Sequence, residues 1–134
     1  MHKFWSSGGA ELLDKIGPAI FVVHSAGGPF GYLVANERPK LVKGIVAVEG
    51  GMPAVGAIKL ENLKGIPIAV VTAENSGRNS AATVKVLQEA GCAVDDLTLK
   101  SKGILGNGHF MMLENNRKQV FEVIQAWIDE KVKA

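Results

Sequence analysis

Three short runs along the chain are apolar at nearly every position: AIFVVH at 19–24, GIVAVE at 44–49 and IPIAVVTA at 66–73. Rich in β-branched residues and without polar alternation, they predict strands covered on both faces, the central strands of a parallel sheet. DLTLKS at 96–101 is shorter and alternates, which predicts a strand nearer the sheet edge. Helical patterns lie between them. GGAELLDKIG predicts a first helix that begins after Ser6, Ser7 and two glycines and ends at Gly17-Pro18. Pro29 suits the first turn of a second helix, FGYLVANE, which Pro39 closes. Asn79 or Ser80 can cap AATVKVLQEAG, in which Val84, Leu87 and Ala90 share a face and Gly91 supplies a left-handed stop. In NNRKQVFEVIQAWIDEK, Val120, Ile124, Trp127 and Ile128 form one apolar stripe opposite the charges, so this helix packs on the sheet.

This alternation of helix and strand predicts an α/β fold: a mainly parallel sheet of about four strands with flanking helices and right-handed crossovers. The segment from Gly50 to Gly65 suffices for a crossover with a short helix around Ala57 to Leu63 and is too short for an inserted cap domain, which predicts an open pocket. No repeat, low-complexity tract or dividing linker is present, so residues 1–134 are read as one domain.

Of the 134 residues, 47% are apolar, enough for a real core. The 15 basic and 13 acidic residues are scattered, giving a formal charge of +2 with no basic stripe, which argues against a nucleic-acid partner. The single cysteine, Cys92, excludes an intramolecular disulfide, and its setting EAGCAVDD offers no cation to activate a thiolate, so it reads as small and structural. No run approaches the ~20 apolar residues of a membrane span, and MHKFWSSGGAELL lacks the apolar region of a secretory signal, so the expected location is the cytoplasm, without membrane association.

The chemistry centres on FVVHSAGGPFG at 21–31, where Ser25 ends an apolar strand and precedes a helix. A nucleophile elbow needs small residues beside the serine because the turn is strained and its backbone passes close to its neighbours; Ala26 and Gly27 meet that need, whereas Val23 stands where glycine is usual. A plain loop, or a phosphate-binding turn at a helix N-terminus, would look similar. A dinucleotide-binding turn fits less well, because HSAGGPFG lacks the G-x-G-x-x-G spacing. His109, in GILGNGHFMMLENN, lies in a glycine-bracketed loop after the last strand, in the chain order and setting of a serine hydrolase's base. His2 is terminal, and strand alternation is expected to point the His24 side chain away from the nucleophile's face. Glu49 and Glu74 close the second and third apolar runs; either could orient the imidazole, although a strand-ending glutamate is commonly only solvated. Gly27, Gly28 and Gly108 read as backbone-shaping. Phe110, Met111 and Met112 suit an acyl pocket or, more simply, the core.

LLDKIGPAIFVVHSAGGPFGYLVANERPKLVKGIVAVEGG and GNGHFMMLENNRKQVFEVIQAWI resemble the carboxyl-terminal half of α/β-hydrolases in the bacterial and fungal esterase group similar to the Alcaligenes esterase, over about Ala10 to Ile128. That group carries its nucleophile in H-S-x-G-G/S, its base in G-N-x-H-M-M and its acid as a glutamate after the strand that follows the nucleophile. The resemblance implies Ser25, His109 and Glu49 as the catalytic residues, Glu74 as the alternative acid, the Ala26 N–H as an oxyanion donor, and no metal or organic cofactor. It also implies a truncated fold: the four strands that precede the elbow in the family are missing, with the loop that supplies a second oxyanion donor. One such donor is commonly worth about 10² to 10³ in rate, so the expectation is a serine esterase of impaired activity. A strand at 19–24 left bare is a template for pairing, which predicts a homodimer through that strand; a partner chain carrying the missing half is the competing solution. The alternative function is a non-catalytic, hydrolase-derived module for oligomerisation or binding.

Overall fold

The computed structural model describes residues 2–134. The elements are α1 (His2–Ile16), β1 (Ala19–His24), α2 (Gly27–Glu37), β2 (Val42–Val48), β3 (Ile68–Thr72), α3 (Ala81–Glu89), β4 (Val94–Thr98) and α4 (Arg117–Lys131), with short 3₁₀ turns at 39–41, 60–63, 99–102 and 111–113. The four strands form one all-parallel sheet in the order β1-β2-β3-β4, the α/β architecture that the apolar runs predict.

The period-2 geometry of a strand sorts the central residues between two faces. Ile45 and Ala47 of β2 and Ile68 and Val70 of β3 join Leu13, Tyr32, Val84 and Leu87 in one core beneath α1, α2 and α3. Val46, Val48, Ala69 and Val71 face the other way and meet Met111, Val120, Ile124 and Trp127 beneath α4. Both faces of β2 and β3 are therefore closed, which explains why these two runs carry no polar alternation.

β1 differs from the expectation of a central strand. It forms the end of the sheet, and Ala19, Phe21 and Val23 pack against a core, whereas Ile20 and Val22 on the opposite face are 37% and 60% exposed. α4 stops short of this strand and leaves a groove of about 490 Å³ lined by Val22, His24, Val48, Phe121 and Ile124 among others. The apolar content of β1 marked a strand meant to be covered, but composition carries no information on what does the covering.

Three element boundaries move. α1 starts at His2 rather than after the glycine pair: Trp5 stacks on Phe30 of α2 with ring centroids 4.7 Å apart, and the Ser6 and Ser7 hydroxyls donate back to the Lys3 carbonyl at 3.2 and 2.9 Å. Tertiary contact thus overrides the weak helix propensity of Ser-Ser-Gly-Gly. A bidentate Arg38–Asp14 pair, at 2.9 and 3.0 Å, ties the end of α2 to α1. β4 occupies 94–98 rather than 96–101, because Leu99 to Lys102 close into a 3₁₀ turn. The helix expected around Ala57 to Leu63 contracts to a single 3₁₀ turn at 60–63. No helix among the described residues is long and apolar enough to cross a membrane.

Close backbone contact joins α2 to the segment after β2. A Cβ on Gly28 would lie 2.8 Å from Gly50 Cα and 2.9 Å from the Gly51 carbonyl oxygen, a clash with backbone that no rotamer can relieve. Gly28→Ala is expected to destabilise the fold by about 1–3 kcal/mol, the usual penalty of overpacking, read as a lower urea midpoint at unchanged slope.

Candidate active site

The parallel register determines which residues meet at the carboxyl end of the sheet. His24 pairs with Val48, and Val48 with Val71. The ladder runs one bond further on each side: Ser25 N donates to the Val48 carbonyl at 3.1 Å, and Glu49 N to the Val71 carbonyl at 2.9 Å. Ser25 and Glu49 are thus the first residues past two adjacent strands, and both adopt left-handed backbone, at φ 52° and 53°. They are the described non-glycine residues with positive φ, a conformation that side chains tolerate only where the surroundings enforce it.

At Ser25 the left-handed turn is closed by Gly28 N donating to the Ser25 carbonyl at 3.0 Å, and the chain then enters α2 with Ala26 at the N-cap. The first N–H groups of a helix have no internal acceptor and point out of its positive end, so the elbow presents both a hydroxyl and free donors. Val23, at the position usually held by glycine, is accommodated because α2 presents Gly27 and Gly31 to it; a Cβ on Gly31 would come within 2.9 Å of Val23 Cγ1. The missing glycine of the strand has a counterpart on the helix.

His109 reaches this rim from the loop after β4. Its Nε2 lies 2.9 Å from Ser25 Oγ, and its Nδ1 is 3.6 Å from Glu49 Oε2, close but longer than a hydrogen bond. The Glu49 side chain is fully buried; Oε1 accepts from Ala73 N at 2.6 Å, while Oε2 has no hydrogen-bond partner. Ser25, His109 and Glu49 are therefore brought together. Glu74 is not part of that set: Oε2 accepts from Gly106 N at 3.0 Å and Oε1 pairs with Lys100 Nζ at 3.1 Å, so it anchors the loop that carries the histidine.

That loop is tied down at several points. Buried Asn107 donates its side-chain amide to Glu114 and, at 2.7 Å, to Asn116 Oδ1, and receives the Asn116 amide on Oδ1 at 2.9 Å. Gly108 N donates to Glu114 Oε1 at 2.9 Å, and Asn75 N to the Asn107 carbonyl at 2.9 Å. Asn107, Glu114 and Asn116 went unremarked in the sequence, although the density of Asn and Glu in GNGHFMMLENN was the available signal. Arg78, whose Nε is 3.8 Å from Glu49 Oε2, left no local signal at all.

His24 requires a correction. Its side chain does not lie apart from the candidate site: Nε2–H donates to the His109 carbonyl at 2.9 Å, and the two rings are 4.7 Å apart between centroids. Alternation does place His24 on the Ile20 and Val22 face, but the left-handed turn at Ser25 ends the alternation, and the His109 loop comes in over that same face. Phe110 covers both rings at 5.0–5.1 Å and is largely exposed, whereas Met111 is fully buried in the core and Met112 lies partly exposed at the groove beside β1. Cys92 is buried, its thiol is pushed up by desolvation, and Sγ donates to the Leu60 carbonyl at 3.6 Å, the environment of an inert thiol. No cluster of metal-ligating side chains occurs among the described residues.

The Gly106 N–H bond first, and the Lys100 ammonium second, hold the Glu74 carboxyl below its ordinary 4.5. A depressed folded value means that the stabilisation is full above the ordinary carboxylate range and is lost as pH falls through the folded value. The amides of Gly106 and its neighbours should therefore lose hydrogen-exchange protection on acidification below the ordinary range, and Glu74→Gln should remove that acid-dependent step.

No family model matches the chain. A probable secreted lipase, phiG, from Fungal sp. (strain ATCC 74256) is 30% identical over 177 aligned positions, covering 91% of this chain and 49% of the relative. A solved bacterial esterase superposes with a TM-score of 0.78 at 27% identity, over 92% of this chain and 42% of its own. A carboxylesterase from Mesorhizobium loti superposes at 0.66 over 93% of this chain and 59% of its own; at 17% identity it speaks to the fold alone. The chain thus spans about half the length of the curated relative it matches. An all-parallel sheet with its strands in chain order, a left-handed serine between β1 and α2 and these likenesses agree: the chain has the α/β-hydrolase fold and is similar to the carboxyl-terminal half of an esterase of that fold.

Proposed function

We propose that the chain acts as a carboxylic-ester hydrolase through an acyl-enzyme, with Ser25 as nucleophile, His109 as general base and acid, and Glu49 as the acid that orients His109. The observation that carries this reading is the 2.9 Å contact between Ser25 Oγ and His109 Nε2, with Glu49 facing the other ring nitrogen. Ser25 Oγ attacks the ester carbonyl as its proton passes to His109 Nε2; the imidazolium then returns that proton to the departing alkoxide. A water molecule, deprotonated by the same ring, cleaves the acyl-serine and restores the hydroxyl. Ala26 N–H, at the start of α2, is the donor the elbow offers to the oxyanion, and the positive end of the helix favours the charge that develops there. No metal or organic cofactor enters this scheme. The likeness to a lipase and an esterase supports an ester as substrate.

A short-chain p-nitrophenyl ester tests the scheme. Ser25→Ala should reduce hydrolysis to background, a loss of at least about 10³-fold if the serine carries the chemistry. Glu49→Gln should lower kcat strongly, and Glu74→Gln much less; the reverse ranking would transfer the acid's role to Glu74.

The exposed Ile20 and Val22 and the unpaired outer edge of β1 also support a homodimer in which strands 19–24 of two copies lie side by side. Light scattering on a size-exclusion peak should then give twice the chain's 14.2 kDa; a monomer at that mass eliminates the pairing and leaves the edge to another polypeptide.

A further inference from the structure

The carboxylate of Glu49 is buried and half satisfied. Oε1 is bound by the Ala73 N–H, and Oε2 lies between two nitrogens that both fall short of a hydrogen bond, His109 Nδ1 at 3.6 Å and Arg78 Nε at 3.8 Å. Arg78 is aimed there by its own segment. Ser76 Oγ donates to the Ala73 carbonyl at 3.2 Å and accepts from Arg78 N at 3.2 Å, and Gly77 turns in the left-handed region at φ 72°. One short turn after β3 therefore delivers both the N–H on Oε1 and the guanidinium beside Oε2.

We propose that Arg78 is a positioning residue of the site, a standing counter-charge for Glu49 that leaves the His109 ring free to take up and release a proton; its place in turnover rests on the reading of Ser25 and His109 above. A buried carboxylate demands a compensating cation. Two groups within 4 Å of Oε2 can supply one: the permanently charged guanidinium, or the imidazole once protonated. The other charges near the loop are already matched, Glu74 by Lys100 and Gly106 N, and Glu114 by Asn107 and Gly108 N. His24 faces the His109 backbone carbonyl and Ser25 the opposite ring nitrogen, so neither balances Glu49. Without Arg78, the carboxylate would be compensated by a protonated His109, the form that cannot accept the serine proton.

The test is an NMR titration of the imidazole resonances, assigned to His109 with a His109→Gln variant, in the parent, Arg78→Gln and Arg78→Lys. Arg78 carries a permanent positive charge beside Glu49, so the midpoint of the His109 resonances is expected to rise in Arg78→Gln and by clearly less in Arg78→Lys, which keeps the charge. The acid limb of ester hydrolysis should move in the same direction. An unmoved midpoint in Arg78→Gln, or an equal rise in both variants, overturns the proposal. The ring titration needs no turnover, so it decides the role of Arg78 even if Ser25→Ala leaves hydrolysis intact and the serine reading fails.

Discussion

The site depends on one constraint, the in-register parallel pairing of β1 with β2. Because His24 pairs with Val48 and the hydrogen-bond ladder continues to Ser25, the two residues that follow the strands emerge side by side at the same rim. A one-residue slip would turn either side chain to the opposite face and separate hydroxyl from carboxylate. Both residues then leave extended geometry for left-handed backbone, a local strain of order 1–3 kcal/mol each that the sheet below and the close contact of Gly28 with Gly50 hold in place.

The third group comes from far along the chain, so its position needs separate anchors. The His109 loop spends the carboxylates of Glu74 and Glu114, the paired amides of Asn107 and Asn116 and the ring of His24 on fixing one imidazole. Loops of irregular backbone must satisfy their N–H and C=O groups one at a time, and here side chains do much of that work. Rigidity of this kind is what brings Nε2 to hydrogen-bond distance of Ser25 Oγ. On the other side of the ring the distances are looser, and the carboxylate is shared with a cation.

The sheet is unevenly covered. β2 and β3 are enclosed by two apolar cores, while β1, the strand that leads to the serine, is covered on one face and unpaired along one edge. Ser25 therefore sits at the margin of the sheet, beside an apolar groove, rather than in its middle. The strand is as apolar as its enclosed neighbours, which is the composition of an interior strand.

The sequence by itself determined the secondary-structure alternation, the sheet type and the candidacy of Ser25 and His109, with Glu49 and Glu74 left as alternative acids. Unbroken β-branched runs favour strands with covered faces, and Ser25, Glu49, Glu74 and His109 each stand at a place where a strand-forming run or a glycine-bracketed loop ends. It missed the contact of His24 with the His109 loop, because strand alternation assigns a side chain to a face and says nothing of which distant loop passes over that face. Two strand-ending glutamates look alike in one dimension. Only the tertiary structure separated them, with Glu49 beside the imidazole and Glu74 on the loop backbone, and only it brought Arg78 to the carboxylate. Periodicity and end signals act over a few residues and are written locally, whereas a long-range contact depends on where several separate segments cross in space.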